Sequence, residues 1–150
     1  MSSAKIPFEK EMQFEYGIAQ RVAPNVRRIV AENPSSFTHF GTNTYIVGEG
    51  AVAVIDPGPM IEEHVDKIEG ALNGETVTHI IVTHTHMDHI QGLPFFAPLY
   101  NPKSSVSLFA GHLDGDNYDL QGIIGTMLMK DPVFPVPSSL IEKACTFNDY

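Results

Sequence analysis

The residues with the clearest chemical meaning fall in one stretch, Thr76 to Leu93, TVTHIIVTHTHMDHIQGL. Its apolar, β-rich run (Val77, Ile80, Ile81, Val82) ends abruptly in His84-Thr85-His86-Met87-Asp88-His89. Four residues able to ligate a metal, His84, His86, Asp88 and His89, thus fall within six positions, directly after an expected buried strand. In extended backbone alternate side chains share a face, so His84 and His86 project the same way. A turn into a helix near Asp88 and His89 closes those two on the same space from a second direction. Imidazole and carboxylate together suit Zn²⁺, with Fe or Mn as poorer matches. A polar turn that happens to be rich in histidine needs neither this density of ligands nor an apolar strand driving into it.

The elements that must position this cluster are legible upstream. Val26 to Val30 alternates loosely and suits a first strand, and Asn33-Pro34-Ser35-Ser36 is a turn cluster. Gly41 to Val47 reads as a second strand, Gly48-Glu49-Gly50 as a hairpin turn and Ala51 to Ile55 as a third strand, with a sharp exit at Asp56-Pro57-Gly58-Pro59. A helix is expected from Met60 to Leu72, with Ile61, Val65, Ile68 and Leu72 as its apolar stripe. Glu62 and Glu63 suit its first turn and Asn73-Gly74 its end. Strand, helix and ligand-bearing strand then form a βαβ-like crossover, and open α/β sheets place ligands at the carboxyl ends of such strands.

Beyond the motif, Ile90 to Phe96 reads as a short helix constrained by Pro94, and Ser105 to Phe109 as a strand. A helix capped by Asp116 or Asn117 should run to about Met129 with Leu120, Ile123, Ile124 and Met127 inward. Pro132, Pro135 and Pro137 forbid regular structure, and Leu140 to Phe147 reads as a final strand. Residues 1–20 are expected to be an arm, pinned by Phe8, Phe14 and Tyr16, ahead of a domain over 21–150.

A chain of 150 residues is one domain's worth, able to bury roughly 70% of its unfolded surface. The net charge of −9, with Arg27-Arg28 the only adjacent basic pair, argues against general nucleic-acid binding. No apolar run is long enough to span a membrane. The single cysteine, Cys145, excludes an internal disulfide and fits a reducing compartment, so a cytoplasmic location is expected.

HTHMDH resembles the HxHxDH signature of the metallo-β-lactamase superfamily of hydrolases, and Asp56 in VIDPG fits that superfamily's preceding strand and turn. The resemblance implies an α/β fold, the four-layer αββα sandwich of two similar halves, here mainly the N-terminal half with part of the second. It implies one or two zinc ions at the junction, with His84 and His86 on one metal and Asp88 and His89 on the other. Asp88 would also be catalytic, orienting the metal-activated hydroxide that attacks a small-molecule substrate. Asp56 is expected behind the ligands, orienting the loop or an imidazole.

The family takes a third His, a bridging Asp and a last His from later in the chain, whereas here one histidine, His112, follows His89. The domain is therefore expected to be incomplete at its C-terminus, with an uncovered apolar face that favours homo-oligomers or poor solubility. His112, Asp114 and Asp116 are spaced like ligands but also like loop and cap. Cys145 reads as a small buried hydrophobe, His79 as structural and His64 as a surface or boundary residue; His39 precedes the GTNTY strand, where it could border the pocket.

Resemblance changes at the motif. Arg27 to His89 is similar to the glyoxalase-II and lactonase-like branch, and His84 to Tyr150 to the phosphodiesterase-like branch, as though two relatives were joined there. The first half implies a thioester, lactone or other ester as the scissile bond, the second a phosphodiester. The competing reading is a catalytically incompetent fragment that keeps a partial metal site.

Overall fold

The computed structural model describes residues 11–101, 105–110, 119–130 and 134–149. Seven strands form one sheet in chain order: β1 (Gln20–Ala23), β2 (Val26–Val30), β3 (Asn43–Glu49), β4 (Ala51–Ile55), β5 (Thr76–Val82), β6 (Val106–Ala110) and β7 (Cys145–Asp149). Neighbours pair antiparallel from β1 to β4 and parallel from β4 to β7. With helices α1 (Glu62–Leu72), α2 (Met87–Ile90) and α3 (Leu120–Ile123), the described residues form a mixed α/β unit built on this one sheet.

The β3–β4 hairpin turns at Gly50, whose φ of 73° suits glycine, and Glu49 faces Ala51 across it. α1 ends at Asn73 in the left-handed conformation and returns the chain to β5 beside β4. The β4–β5 register slips by one between Val52–Val77 and Ala53–His79, leaving Thr78 as the extra residue. That slip puts Val77, Ile80 and Val82 all on the buried face, against Ile68 and Leu72 of α1 and Leu108 of β6 in one core. Ile68 is fully buried there. Ile68→Ala should lower unfolding stability by about 2–5 kcal/mol, read from urea melts with an unchanged m-value.

Three expectations need correction. Ile90 to Phe96 is not one helix. α2 starts earlier, at Met87, and gives way to 3₁₀ turns at Leu93–Phe95 and Ala97–Tyr100, because Gly92 bonds its N–H to Gly58 O (2.9 Å) instead of continuing the helix. The later helix begins with Asp119 as its cap, accepting from Gly122 N, while Asp116 and Asn117 lie outside the described residues. It passes into a π-helical turn, Ile124–Leu128, which rotates the face so that Leu128 is buried and Met127 is 57% exposed. β1 was not foreseen at all. Its four residues are exposed and carry no alternating pattern, yet they pair with β2 across Pro24-Asn25.

The segment before β1 is pinned through aromatic residues. Tyr16 donates its hydroxyl to Phe40 O (2.8 Å), and Phe14 packs edge-on against Tyr16. No helix among the described residues is long and apolar enough to cross a membrane.

Candidate functional site

β5 ends at Val82, and the chain runs through Thr83 to His86 without regular structure before α2 begins at Met87. His86 occupies the position before the helix with extended dihedrals and makes no cap hydrogen bond, so its ring is not spent on the backbone. Strand end and helix start together gather the motif side chains. The His84 ring centroid lies 4.7 Å from that of His86 and 3.8 Å from that of His89. His89 Nε2 is 3.3 Å from Asp88 Oδ2.

Asp56 stands behind this cluster, almost wholly buried. Its Oδ1 accepts the Thr83 N–H (2.8 Å), its Oδ2 accepts the Thr83 hydroxyl (2.6 Å), and His89 Nδ1 lies 3.0 Å from the same Oδ2. Burial pushes the Asp56 carboxyl up, but the contacts with His89 and Thr83 outweigh it and hold it below its ordinary value. His89 is the mirror case: burial pushes it down, and Asp56 and Asp88 more than reverse this, so it holds a proton above the usual histidine range. His84 goes the other way, depressed by burial and by the neighbouring His89 and His86.

The partners fix which ring nitrogens are free. Thr83 gives its hydroxyl proton to Asp56, so at 3.0 Å it must accept from His84 Nδ1, which leaves His84 Nε2 with a bare lone pair. His89 Nδ1 faces the Asp56 carboxylate, leaving its Nε2 turned to a second carboxylate, that of Asp88. Two acceptors at 3.3 Å call for a cation between them, either a proton on the ring or a metal ion. The donor chemistry therefore fits zinc. The arrangement is not closed, since among the described residues no three His, Cys, Asp or Glu side chains stand where they could hold an ion.

Two features were missed from the sequence. Thr42, buried, donates to Asp88 Oδ2 (3.0 Å) and accepts from Asn33 Nδ2 (3.0 Å). Thr44, two residues on and on the same face, donates to the Asp56 carbonyl (2.6 Å) and contacts His64 Nε2 (3.0 Å). His64 is not a boundary residue: it is 3% exposed, because α1 turns it inward beside Val65 and Ile68. The signal was available, since Thr42 and Thr44 are polar residues in phase with Ile46 on the buried face of β3.

His39 is exposed and stacks on Phe40, while His79 is exposed and stacks on Phe109. Cys145 is half-buried against the core, and burial pushes its thiol up to about 11, which suits packing rather than reactivity. His112, Asp114 and Asp116 lie outside the described residues.

A family model described as the metallo-beta-lactamase superfamily matches residues 37–123, more than half of the chain. The chain belongs to the metallo-β-lactamase superfamily. Among curated relatives it is 41% identical over 93 residues to an atrochrysone carboxyl ACP thioesterase of Aspergillus terreus (strain NIH 2624 / FGSC A1156), covering 60% of this chain and 29% of that one. It is 38% identical over 93 residues to the lactamase-like protein ptaB of Pestalotiopsis fici (strain W106-1 / CGMCC3.15140), covering 60% and 29%. The chain thus spans under a third of the length of these relatives. A crystal structure of a beta-lactamase domain protein from Burkholderia ambifaria superposes with a TM-score of 0.52 at 23% identity, over 69% of this chain and 33% of that one, which is likeness of fold.

Proposed function

We propose that this chain carries the metal-binding half of a zinc-dependent hydrolase site acting on a thioester or other ester of a small molecule. The single observation behind this reading is the line Asp56–His89–Asp88–Thr42, in which one imidazole stands between two carboxylates, its Nδ1 3.0 Å from the first and its Nε2 3.3 Å from the second. His84, His86, Asp88 and His89 would hold one or two zinc ions, with Fe or Mn as weaker fits by donor type. When bound, zinc supplies Lewis-acid activation of water at neutral pH. Thr42 holds one Asp88 oxygen, so this carboxylate keeps a fixed direction from which to orient the attacking water and take its proton. The ester or thioester is favoured because the similar Aspergillus terreus protein is named a carboxyl ACP thioesterase; a phosphodiester is the alternative. The site faces a reducing, cytoplasm-like compartment in this reading.

Zinc-loaded protein should hydrolyse a panel thioester or lactone faster than a phosphodiester, and Asp88→Asn should lower kcat by at least ~10²-fold with the fold unchanged by circular dichroism. Turnover of none of the three classes by metal-loaded protein would support the second reading, a partial metal site without catalysis. That second reading is favoured by the open arrangement of the donors. The sheet face opposite the core carries half-buried Val47, Ile55, Ile81 and Phe109, which supports self-association as a further expectation.

A further inference from the structure

We propose that His64, on α1 and outside the motif, is a positioning residue of the candidate site: its Nε2–H holds the Thr44 hydroxyl on the Asp56 carbonyl and thereby fixes the turn whose carboxylate grips Thr83 and His89.

The turn needs holding. Asp56 has a φ of 48°, a left-handed conformation that costs a non-glycine residue about 1–3 kcal/mol. It also precedes Pro57, which restricts its backbone further. Several bonds over-determine it. Asp56 N donates to Ile81 O (2.9 Å), Gly58 N to His89 O (3.2 Å) and Gly92 N to Gly58 O (2.9 Å). These tie the turn to β5 and α2. On the other side the Asp56 carbonyl is held by the Thr44 hydroxyl at 2.6 Å.

The direction of the relay follows from its end. A carbonyl can only accept, so Thr44 donates to Asp56 O and can only accept from His64 at 3.0 Å. His64 must then carry its proton on Nε2, and its buried Nδ1 has no hydrogen-bond partner among the described residues. The opposite tautomer would compete with Asp56 for the Thr44 proton and break the chain. Burial also keeps the ring neutral, with its pKa lowered to about 4. Gly58 makes room for the contact, since a Cβ there would meet His64 Nε2 at 2.6 Å. A residue that merely filled space under α1 would not need the fixed tautomer.

The test uses the full chain with three variants, His64→Phe (shape without the donor), His64→Gln (a donor near the Nε2 position) and Thr44→Val. Long-range ¹⁵N–¹H spectra should show His64 as the Nε2–H tautomer in the wild type. Amide exchange at Thr83, whose N–H is held by Asp56, should speed up by at least ~10-fold in His64→Phe and Thr44→Val, with Ile80 unchanged and His64→Gln restored. Zinc affinity should fall about 10–100-fold in the same two variants and recover in His64→Gln. Only this zinc arm rests on the function proposed above; absence of zinc binding by wild type would sink that function, and the exchange arm would still decide the relay. An Nδ1–H tautomer, or Thr83 exchange and zinc affinity unmoved in His64→Phe, would overturn the proposal. If His64→Phe does not fold, the wild-type tautomer and the contrast of Thr44→Val with His64→Gln decide it.

Discussion

Elemental analysis of the size-fractionated chain should find zinc bound, and a His84→Ala/His86→Ala double variant should retain almost none. The reason lies in the ring nitrogens: Thr83 takes up His84 Nδ1, so Nε2 is the atom left for a metal, and His86 has no cap to make. Residues that only orient a ligand are each worth about 10–100-fold in metal affinity, so removing two ligands outright should cost more than ~10³-fold. The wild-type stoichiometry divides the two functional readings. About two equivalents per chain would mean that a full site assembles despite the open arrangement of side chains seen here, and would justify the substrate panel. A value well below one, or a double variant indistinguishable from wild type, would end the case for these four residues as a zinc site.

The sequence carried much of this because periodic segments announce themselves. β4 and β5 are short apolar runs bounded by turn residues, α1 has a four-member apolar stripe, and both fell where period and punctuation put them. The proximity of His84, His86, Asp88 and His89 followed from a strand meeting a helix. What the sequence hid was of three kinds. β1 is held by its ladder to β2 and by exposed polar contacts of Gln20 with Arg28 and Arg21 with Glu49, and its exposed side chains carry no periodic pattern. The rotation at Ile124–Leu128 comes from a π turn, which no periodic template contains. His64 was misplaced because its polarity was weighed above its position: it lies three residues after Ile61 and four before Ile68, inside the buried stripe. A polar residue in the phase of the core is itself a signal, and here it pointed to the turn behind the site.

That buried imidazole should also make the metal-free fold acid-sensitive. His64 is lowered from 6.5 to about 4 by burial, so the unfolded chain binds a proton between those values that the folded chain refuses. The sign follows from this: the contribution to stability is intact above pH 6.5 and is lost as pH falls to about 4. At 1.36 kcal/mol per pH unit of difference, the loss is roughly 3 kcal/mol, a large share of a small domain's stability. Other groups must be separated from it. His84 is lowered and acts in the same direction, Asp56 matters only as pH falls below the usual carboxylate range, and His89 is raised, so its contribution is present at low pH and lost as pH rises through its folded value. His64→Gln removes one titration and leaves those three, so the difference between the two proteins isolates it. Urea midpoints in chelator at pH 7 and pH 4.5 should converge for His64→Gln relative to wild type. Equal acid sensitivity in the two proteins would mean that His64 is hydrated and protonates freely in the fold, and the buried ring would lose its account.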